Sequence, residues 1–213
     1  MNTAIAAEIA AENFSDQNIK NYYTFHAYIY DLTRWTFLFG RKKVIDKIPI
    51  LKNDVKQVLE IGCGTGHNLI YLSNRFPNAN IVGVDISDEM IAKAKENTAM
   101  YPNVIIRKEL DFAEKQGTFD IVLMSYVLTM MNPSWEFWVK NANNLLHEKG
   151  FFAVVDFHVS YWNWFQKHMS NHHVKMKAHI LPELNKNYKT FHNEIKDAYL
   201  GVWTYFVFVG RKK

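Results

Sequence analysis

The chain has 213 residues, of which 48% are hydrophobic and 22% charged, enough to bury the core of one larger α/β domain and too apolar for a disordered chain. No window approaches the roughly 20 apolar residues that would span a bilayer, and the single Cys63 excludes an internal disulfide and fits a reducing, cytoplasmic setting. The net charge of +4 is uneven: residues 51–156 carry 10 Lys/Arg against 13 Asp/Glu, and residues 157–213 carry 9 against 3. So basic a closing segment suits either a solvated face or a negatively charged partner surface.

In chain order, the first stretch, "MNTAIAAEIAAENFSDQ", is Ala-rich but interrupted by Glu8 and Glu12 and has no basic leader, so it does not read as a secretory signal. "NYYTFHAYIYDLTRWTFLFG" (21–40) is dense in aromatics and places Tyr23, Tyr30 and Arg34 near one helical stripe. Residues 1–50 are therefore expected to form a helical cap belonging to the same domain as residues 51–213. "FHVSYWNWF" and "YLGVWTYFVFVG" repeat the aromatic habit, which serves core packing or a membrane–water interface.

The middle alternates strand and helix signals. "QVLEI" predicts a strand, and three glycines lead into "HNLIYLSNRF", a helical face closed by Pro77. "NIVGVDI" is the next strand, after which Ser87 caps a helix with Asp88 and Glu89 in its first turn. "NVIIRKEL" and "FDIVLMSYVL" predict strands three and four. Asn132 and Pro133 read as the cap and first position of a helix that Gly150 ends, before the strand "FFAVVDF". Residues 162–180 read as helical, and the closing segment reads as two strands around a turn at Gly201. Such alternation means βαβ units, a parallel sheet and right-handed crossovers.

The glycine loop "EIGCGTGHN" follows the first strand, where open α/β sheets bind ligands. A dinucleotide fingerprint wants a sixth-position glycine, but His67 stands there, and no Lys-Ser or Lys-Thr follows for a P-loop. Glu60 beside the loop would repel a pyrophosphate and suit a cation. Asp85, ending the second strand, can accept from two ribose hydroxyls, and Asp111, after the third, from an adenine amine. A ribose, an adenine, a positive centre and no phosphate describe S-adenosylmethionine.

"VLEIGCGTGHN…VGVDISDEMIAKAKEN" resembles the cofactor half of class I S-adenosylmethionine-dependent methyltransferases. The resemblance implies a Rossmann-like α/β fold: a mostly parallel seven-stranded sheet with an antiparallel last strand, helices on both faces and the N-terminal helical cap. It assigns Glu60, Gly62, Cys63, Gly64 and Gly66 to the loop and Asp85 to the ribose. Ile86 and Met90 would sandwich adenine, Asp111 and Phe112 would form the third-strand contact, and Ser125 would lie near the sulfonium. S-adenosyl-L-homocysteine would be the product.

For the acceptor, "NPSW" comes too late and lacks the second Pro of enzymes that methylate nucleic-acid amines, so nucleic acid is disfavoured. "YIYDLTRWTFLFGR", Tyr28 to Arg41, resembles the leading segment of bacterial betaine-lipid (diacylglyceryl homoserine) N-methyltransferases and related phospholipid N-methyltransferases. That resemblance implies an amine-bearing lipid acceptor and a peripheral position on the inner face of the membrane. Tyr23, Tyr30, Arg34, Trp35 and Tyr126 would then cover the cofactor or hold a methylated ammonium by cation–π attraction. His158, past the fifth strand, is the candidate for taking an amine proton. His168, His172 and His173 share a predicted helical face but have no acidic partner in sequence, so no metal is expected. A methyltransferase of a small soluble metabolite or quinone precursor, and a non-catalytic S-adenosylmethionine-binding module, stay open. An NAD-linked dehydrogenase is opposed by Glu60 and His67.

Overall fold

Residues 37–109, 115–171 and 173–213 are described by the structure, a computed structural model. Their organising element is a seven-stranded sheet of order β3-β2-β1-β4-β5-β7-β6. Strands β1 (Gln57–Ile61), β2 (Asn80–Val84), β3 (Val104–Arg107), β4 (Phe119–Ser125) and β5 (Leu146–Phe157) run parallel. β7 (Trp203–Lys212) lies antiparallel to both β5 and β6 (Tyr188–Ala198). The doubly wound order reverses between β1 and β4, so their carboxyl ends open the crevice in which such folds bind ligands.

Each face of the sheet buries its own core. Val58, Ile121, Leu123, Ala153, Val155 and Val207 face one side, where α1 (Arg41–Asp46) and α2 (His67–Arg75) pack. Leu59, Val122, Met124, Val154, Phe206 and Phe208 face the other, against α4 (Trp135–Leu145) and α6 (Ile180–Asn187). Residues two apart share a face, because strand side chains alternate. β4 is buried along its whole length, as expected of a central strand covered by helices on both sides. The edge strand β6 instead carries exposed Lys189 and Lys196, the charges that discourage edge-to-edge pairing. At the amino ends of the central strands, Asp120 accepts from the backbone N–H groups of Lys56 (2.7 Å) and Gln57 (2.8 Å) and pairs with His147 (2.7 Å).

Two helical starts follow their local chemistry. Gly66, at φ 84°, caps α2, and Ser87 Oγ caps α3 (Asp88–Asn97) by accepting from Met90 N at 3.2 Å. The fourth strand stops at Ser125 rather than Leu128, because Tyr126 turns the chain at φ 58°.

Three expectations need correction. The helix after β4 begins at Trp135 with Ser134 before it, while Asn132 donates from its side chain to the Thr129 carbonyl and belongs to the preceding turn. Gly150 does not end that helix but lies inside β5, where a Cβ would come within 2.9 Å of the Phe119 carbonyl oxygen. The helical reading of residues 162–180 holds only for α5 (Asn163–Asn171). Beyond it Val174 and Met176 are buried while Lys175 and Lys177 are exposed, the period of an extended chain, and Lys177 bridges to Val159.

Gly83 allows α2 to lie close on β2, since a Cβ there would stand 2.5 Å from Leu69 Cδ1 and 3.0 Å from Cys63 Sγ. Leu69 is fully buried and has nowhere to move. Gly83→Ala should therefore destabilise the fold by about 1–3 kcal/mol through overpacking, measured as a lower urea midpoint at unchanged slope.

Candidate functional site

The glycine loop is stitched to the neighbouring strand at the carboxyl end of the sheet. Gly62 N and Cys63 N both donate to the Val84 carbonyl (2.8 and 3.0 Å), and Gly64 N donates to Asp85 Oδ2 (2.8 Å). Asp85 Oδ1 accepts from Ser87 N at 3.0 Å, so the carboxylate is oriented from two sides. A carboxylate held in this orientation is an acceptor suited to a pair of adjacent hydroxyls. Gly62 sits at φ 74°, and a Cβ there would meet Val127 Cγ2 at 2.6 Å. Only glycine lets the loop turn under the segment that follows β4. From above, Asn97 Nδ2 holds the Thr65 carbonyl at 2.9 Å.

Glu60 lies beneath this loop rather than at an open mouth. It is buried, and Asn68 in the first turn of α2 donates to its Oε1 at 2.6 Å. A carboxylate in this low-dielectric setting would favour a cation bound over the loop. Ser125 ends β4 one residue beyond the Ile61–Met124 pairing. Its hydroxyl is buried and meets no hydrogen-bond partner among the described residues, a polar group with bonding capacity left at the end of β4. Ile86 is half exposed beside Asp85, and Met90 is buried behind it on α3. Cys63 is buried against Gly83, a packing position.

Tyr126 turns inward. It is buried, stands edge-on to Phe157 with ring centroids 4.7 Å apart, and donates its hydroxyl to the Phe39 carbonyl at 2.8 Å. Burial raises its hydroxyl pKa well above the ordinary range. His158, just past β5, is half buried, and burial lowers its pKa, so the ring is neutral at pH 7. Its Nδ1 has no partner among the described residues. Asp111, Phe112, Tyr23, Tyr30, Arg34 and Trp35 lie outside the described residues.

One charged network escaped the sequence reading. Asp156, on β5, is fully buried and accepts from Thr129 Oγ1 (2.5 Å), Thr129 N (3.1 Å) and Phe157 N (2.8 Å). Burial pushes its pKa up to about 6, against the opposing hydrogen bonds. It clamps the turn after β4 to β5 and so positions the segment that covers Gly62. An acid inside the apolar run "FFAVVDF" was the available signal.

The residues present fit an adenosyl ligand bearing a positive centre. Asp85 sets an oriented carboxylate beside the loop, an apolar side chain borders it at Ile86, Gly62, Gly64 and Gly66 leave the loop backbone without side chains, and the buried Ser125 hydroxyl has no partner among the described residues. Among the described residues no cluster of three or more His, Cys, Asp or Glu is arranged to hold a metal ion.

Comparison with known proteins agrees. Residues 59–152 match the family described as "Methyltransferase domain". A malonyl-[acyl-carrier protein] O-methyltransferase of Bacillus anthracis is 30% identical over 80 residues, 38% of this chain and 30% of that protein. The chain spans well under half the length of the first curated relatives it matches. Among solved structures, the Burkholderia thailandensis 1,6-didemethyltoxoflavin-N1-methyltransferase, with S-adenosylhomocysteine bound, has a TM-score of 0.69 at 15% identity, covering 92% of this chain and 87% of that one. The Haemonchus contortus phosphoethanolamine N-methyltransferase 2, in complex with phosphomonomethylethanolamine and S-adenosylhomocysteine, has a TM-score of 0.65 at 15% identity, covering 81% of this chain and 52% of that one. The fold is thus the Rossmann-like methyltransferase fold, and residues 59–152 match a methyltransferase domain.

Two outcomes are expected. Asp85→Ala should weaken S-adenosylhomocysteine binding by roughly tenfold to a hundredfold, the worth of charged hydrogen bonds to two hydroxyls, as read by isothermal titration. Asp156 supplies a pH test. Its folded pKa of about 6 lies above the unfolded value of about 3.9, so between these the folded state holds the proton and ionisation costs stability as pH rises. Relative to Asp156→Asn, the wild-type protein should lose about 2 kcal/mol between about pH 4 and pH 7. Urea unfolding measures this, and a pH-independent difference would mean that Asp156 does not titrate there.

Proposed function

We propose that this chain, built on that methyltransferase domain, is an S-adenosylmethionine-dependent N-methyltransferase acting on the amine of a membrane lipid headgroup, such as diacylglyceryl homoserine or phosphatidylethanolamine. The observation that carries the methyltransferase reading is Glu60 beneath a glycine loop that is stitched to Asp85. The constellation favours a cationic adenosyl ligand and opposes a pyrophosphate. The lipid amine is supported by the likeness of Tyr28–Arg41 to betaine-lipid N-methyltransferases. That a fold neighbour is a phosphoethanolamine N-methyltransferase is consistent with it.

Bound S-adenosylmethionine supplies an electrophilic methyl group on a sulfonium. The chain has three tasks. Asp85 and the loop N–H scaffold orient the adenosine, so that the transfer is prepaid in orientation rather than paid at the barrier. Buried Glu60 favours the charged donor. An amine attacks only as the free base, and the neutral His158 imidazole, at the same end of the sheet, is the group assigned to receive its proton. In this reading residues 1–50 form the cap that closes over donor and acceptor and excludes water, with Tyr23, Tyr30, Arg34 and Trp35 facing the headgroup and Asp111 and Phe112 the adenine.

No helix among the described residues is long and apolar enough to cross a membrane, so the acceptor would be taken at the membrane surface. The test is transfer of labelled methyl from S-adenosylmethionine into diacylglyceryl homoserine, phosphatidylethanolamine and a total soluble metabolite extract. Label in a lipid amine is the expected result. Label confined to the soluble extract would overturn the lipid acceptor and favour a small-metabolite enzyme, and no label anywhere despite tight cofactor binding would favour a binding module.

A further inference from the structure

We infer that the rim formed by the start of α5 and the β6–β7 turn docks onto the surface of an anionic phospholipid bilayer. Four large apolar side chains face solvent there: Tyr161 at 79% exposure, Trp162 at 52%, Trp164 at 60% and a fully exposed Leu200. They share one rim because the two segments are tied together. Ser160 Oγ donates to the Val202 carbonyl at 2.6 Å, and Phe165 of α5 stacks on Trp203 of β7 with ring centroids 4.8 Å apart and planes 6° from parallel.

Leu200 is the most telling of these. It occupies the left-handed region at φ 56°, directly after Tyr199 at φ 47°. A branched apolar residue is a poor choice there on two counts, since its backbone is strained and its side chain buries nothing within the fold. Asn or Gly would relieve both. Strain of this kind persists where another constraint maintains it, and insertion of the leucine into an apolar phase outside the protein supplies one.

The surrounding charge selects the partner. Between His158 and Pro182 the sequence has three lysines, Lys167, Lys175 and Lys177, and neither Asp nor Glu. All three lysines are exposed. Lys167 lies one helical turn from Trp164, and the bridge from Lys177 to Val159 sets it beside the chain that leads into Tyr161. Tryptophan and tyrosine rings sit at the headgroup level of a bilayer, and nearby lysines add attraction to anionic lipid. An exposed turn tip beside exposed Trp and Tyr rings and lysines suits insertion into a fluid anionic surface.

The location gives the surface its use. α5 follows the carboxyl end of β5, and β6 runs parallel to β1–β5, so the β6–β7 turn lies at the same end of the sheet as the glycine loop and Asp85. A bilayer docked on this rim would stand beside the mouth of the crevice. The choice of partner draws on the lipid reading, but the docking surface is tested apart from it.

The full chain should be sedimented with vesicles of phosphatidylcholine alone and of phosphatidylcholine mixed with phosphatidylglycerol. Binding is expected to favour the mixed vesicles by roughly tenfold or more and to weaken with salt. The combined variant Trp162→Ala, Trp164→Ala, Leu200→Asn should lose at least roughly tenfold on both compositions, with S-adenosylhomocysteine affinity kept. The single variant Leu200→Asn should raise the melting temperature slightly, since Asn tolerates the backbone conformation. Lys167→Glu with Lys177→Glu should remove only the preference for the anionic vesicles. Failure of the wild-type chain to bind either vesicle, or unchanged binding by the combined variant, overturns the inference. So does a dimer in solution that the combined variant dissociates, because the rim would then be covered by a second copy. Vesicle binding without lipid methylation supports the docking surface while removing the lipid acceptor, and methylation of lipid in detergent without vesicle binding does the reverse.

Discussion

Two adjacent N–H groups on one carbonyl oxygen hold the candidate site in place. Gly62 and Cys63 both donate to Val84, so the chain leaving β1 is bound to the end of β2 before it turns into α2. A loop this tight needs positive φ at Gly62, Gly64 and Gly66, conformations that a side chain would oppose. Once it is made, Gly64 N meets the Asp85 carboxylate, and the acid that ends one strand becomes part of the loop that ends another. Burial of Glu60 under the same loop, with Asn68 as its partner, sets an acid where a phosphate ligand is disfavoured.

The two ends of the sheet divide the labour of the molecule. At the amino ends, Asp120 gathers two backbone N–H groups and His147, an arrangement that pins strands together and leaves little to bind. At the carboxyl ends the chain accepts costs instead. Tyr126, Tyr199 and Leu200 hold left-handed backbone, Asp156 is a buried acid with a raised pKa, and Ser125 keeps a buried hydroxyl without a partner among the described residues. Strain and unsatisfied polarity gather where ligands bind, because packing elsewhere can support them. Asp156 belongs to this set although it touches no crevice surface. By clamping Thr129 it fixes the segment from Tyr126 to Thr129 that passes over Gly62.

Local chemistry made much of this visible. The short apolar runs predicted β1, β2, β4, β5 and β7, because a strand buried on both faces has little choice but continuous Val, Ile, Leu and Phe. Ser87 read correctly as a helix cap because capping is decided by a hydrogen bond three residues away. Where the reading failed, the deciding contact was distant or two periods competed. Asn132-Pro133 carried the chemistry of a helix start but was drawn into a turn with Thr129. Gly150 had the look of a helix terminator but served the approach of a neighbouring strand. Residues 174–177 alternate along an extended stretch that is too short to stand out from the helical pattern around it.

The sequence by itself determined the fold class, the loop that a cofactor backbone can approach and the acids at its edges, since glycine spacing, apolar runs and strand-ending acids act over a few residues. Tertiary structure alone decided that Glu60 lies beneath the loop, that Tyr126 points into the core rather than over the crevice, and that Asp156 is a structural clamp. It also brought Trp162 and Trp164 to the same rim as Leu200, some thirty-five residues further along the chain. Each of these depends on which side of the sheet a residue faces and on which distant segment covers it. Those are properties of strand order and crossover, which no local spacing encodes.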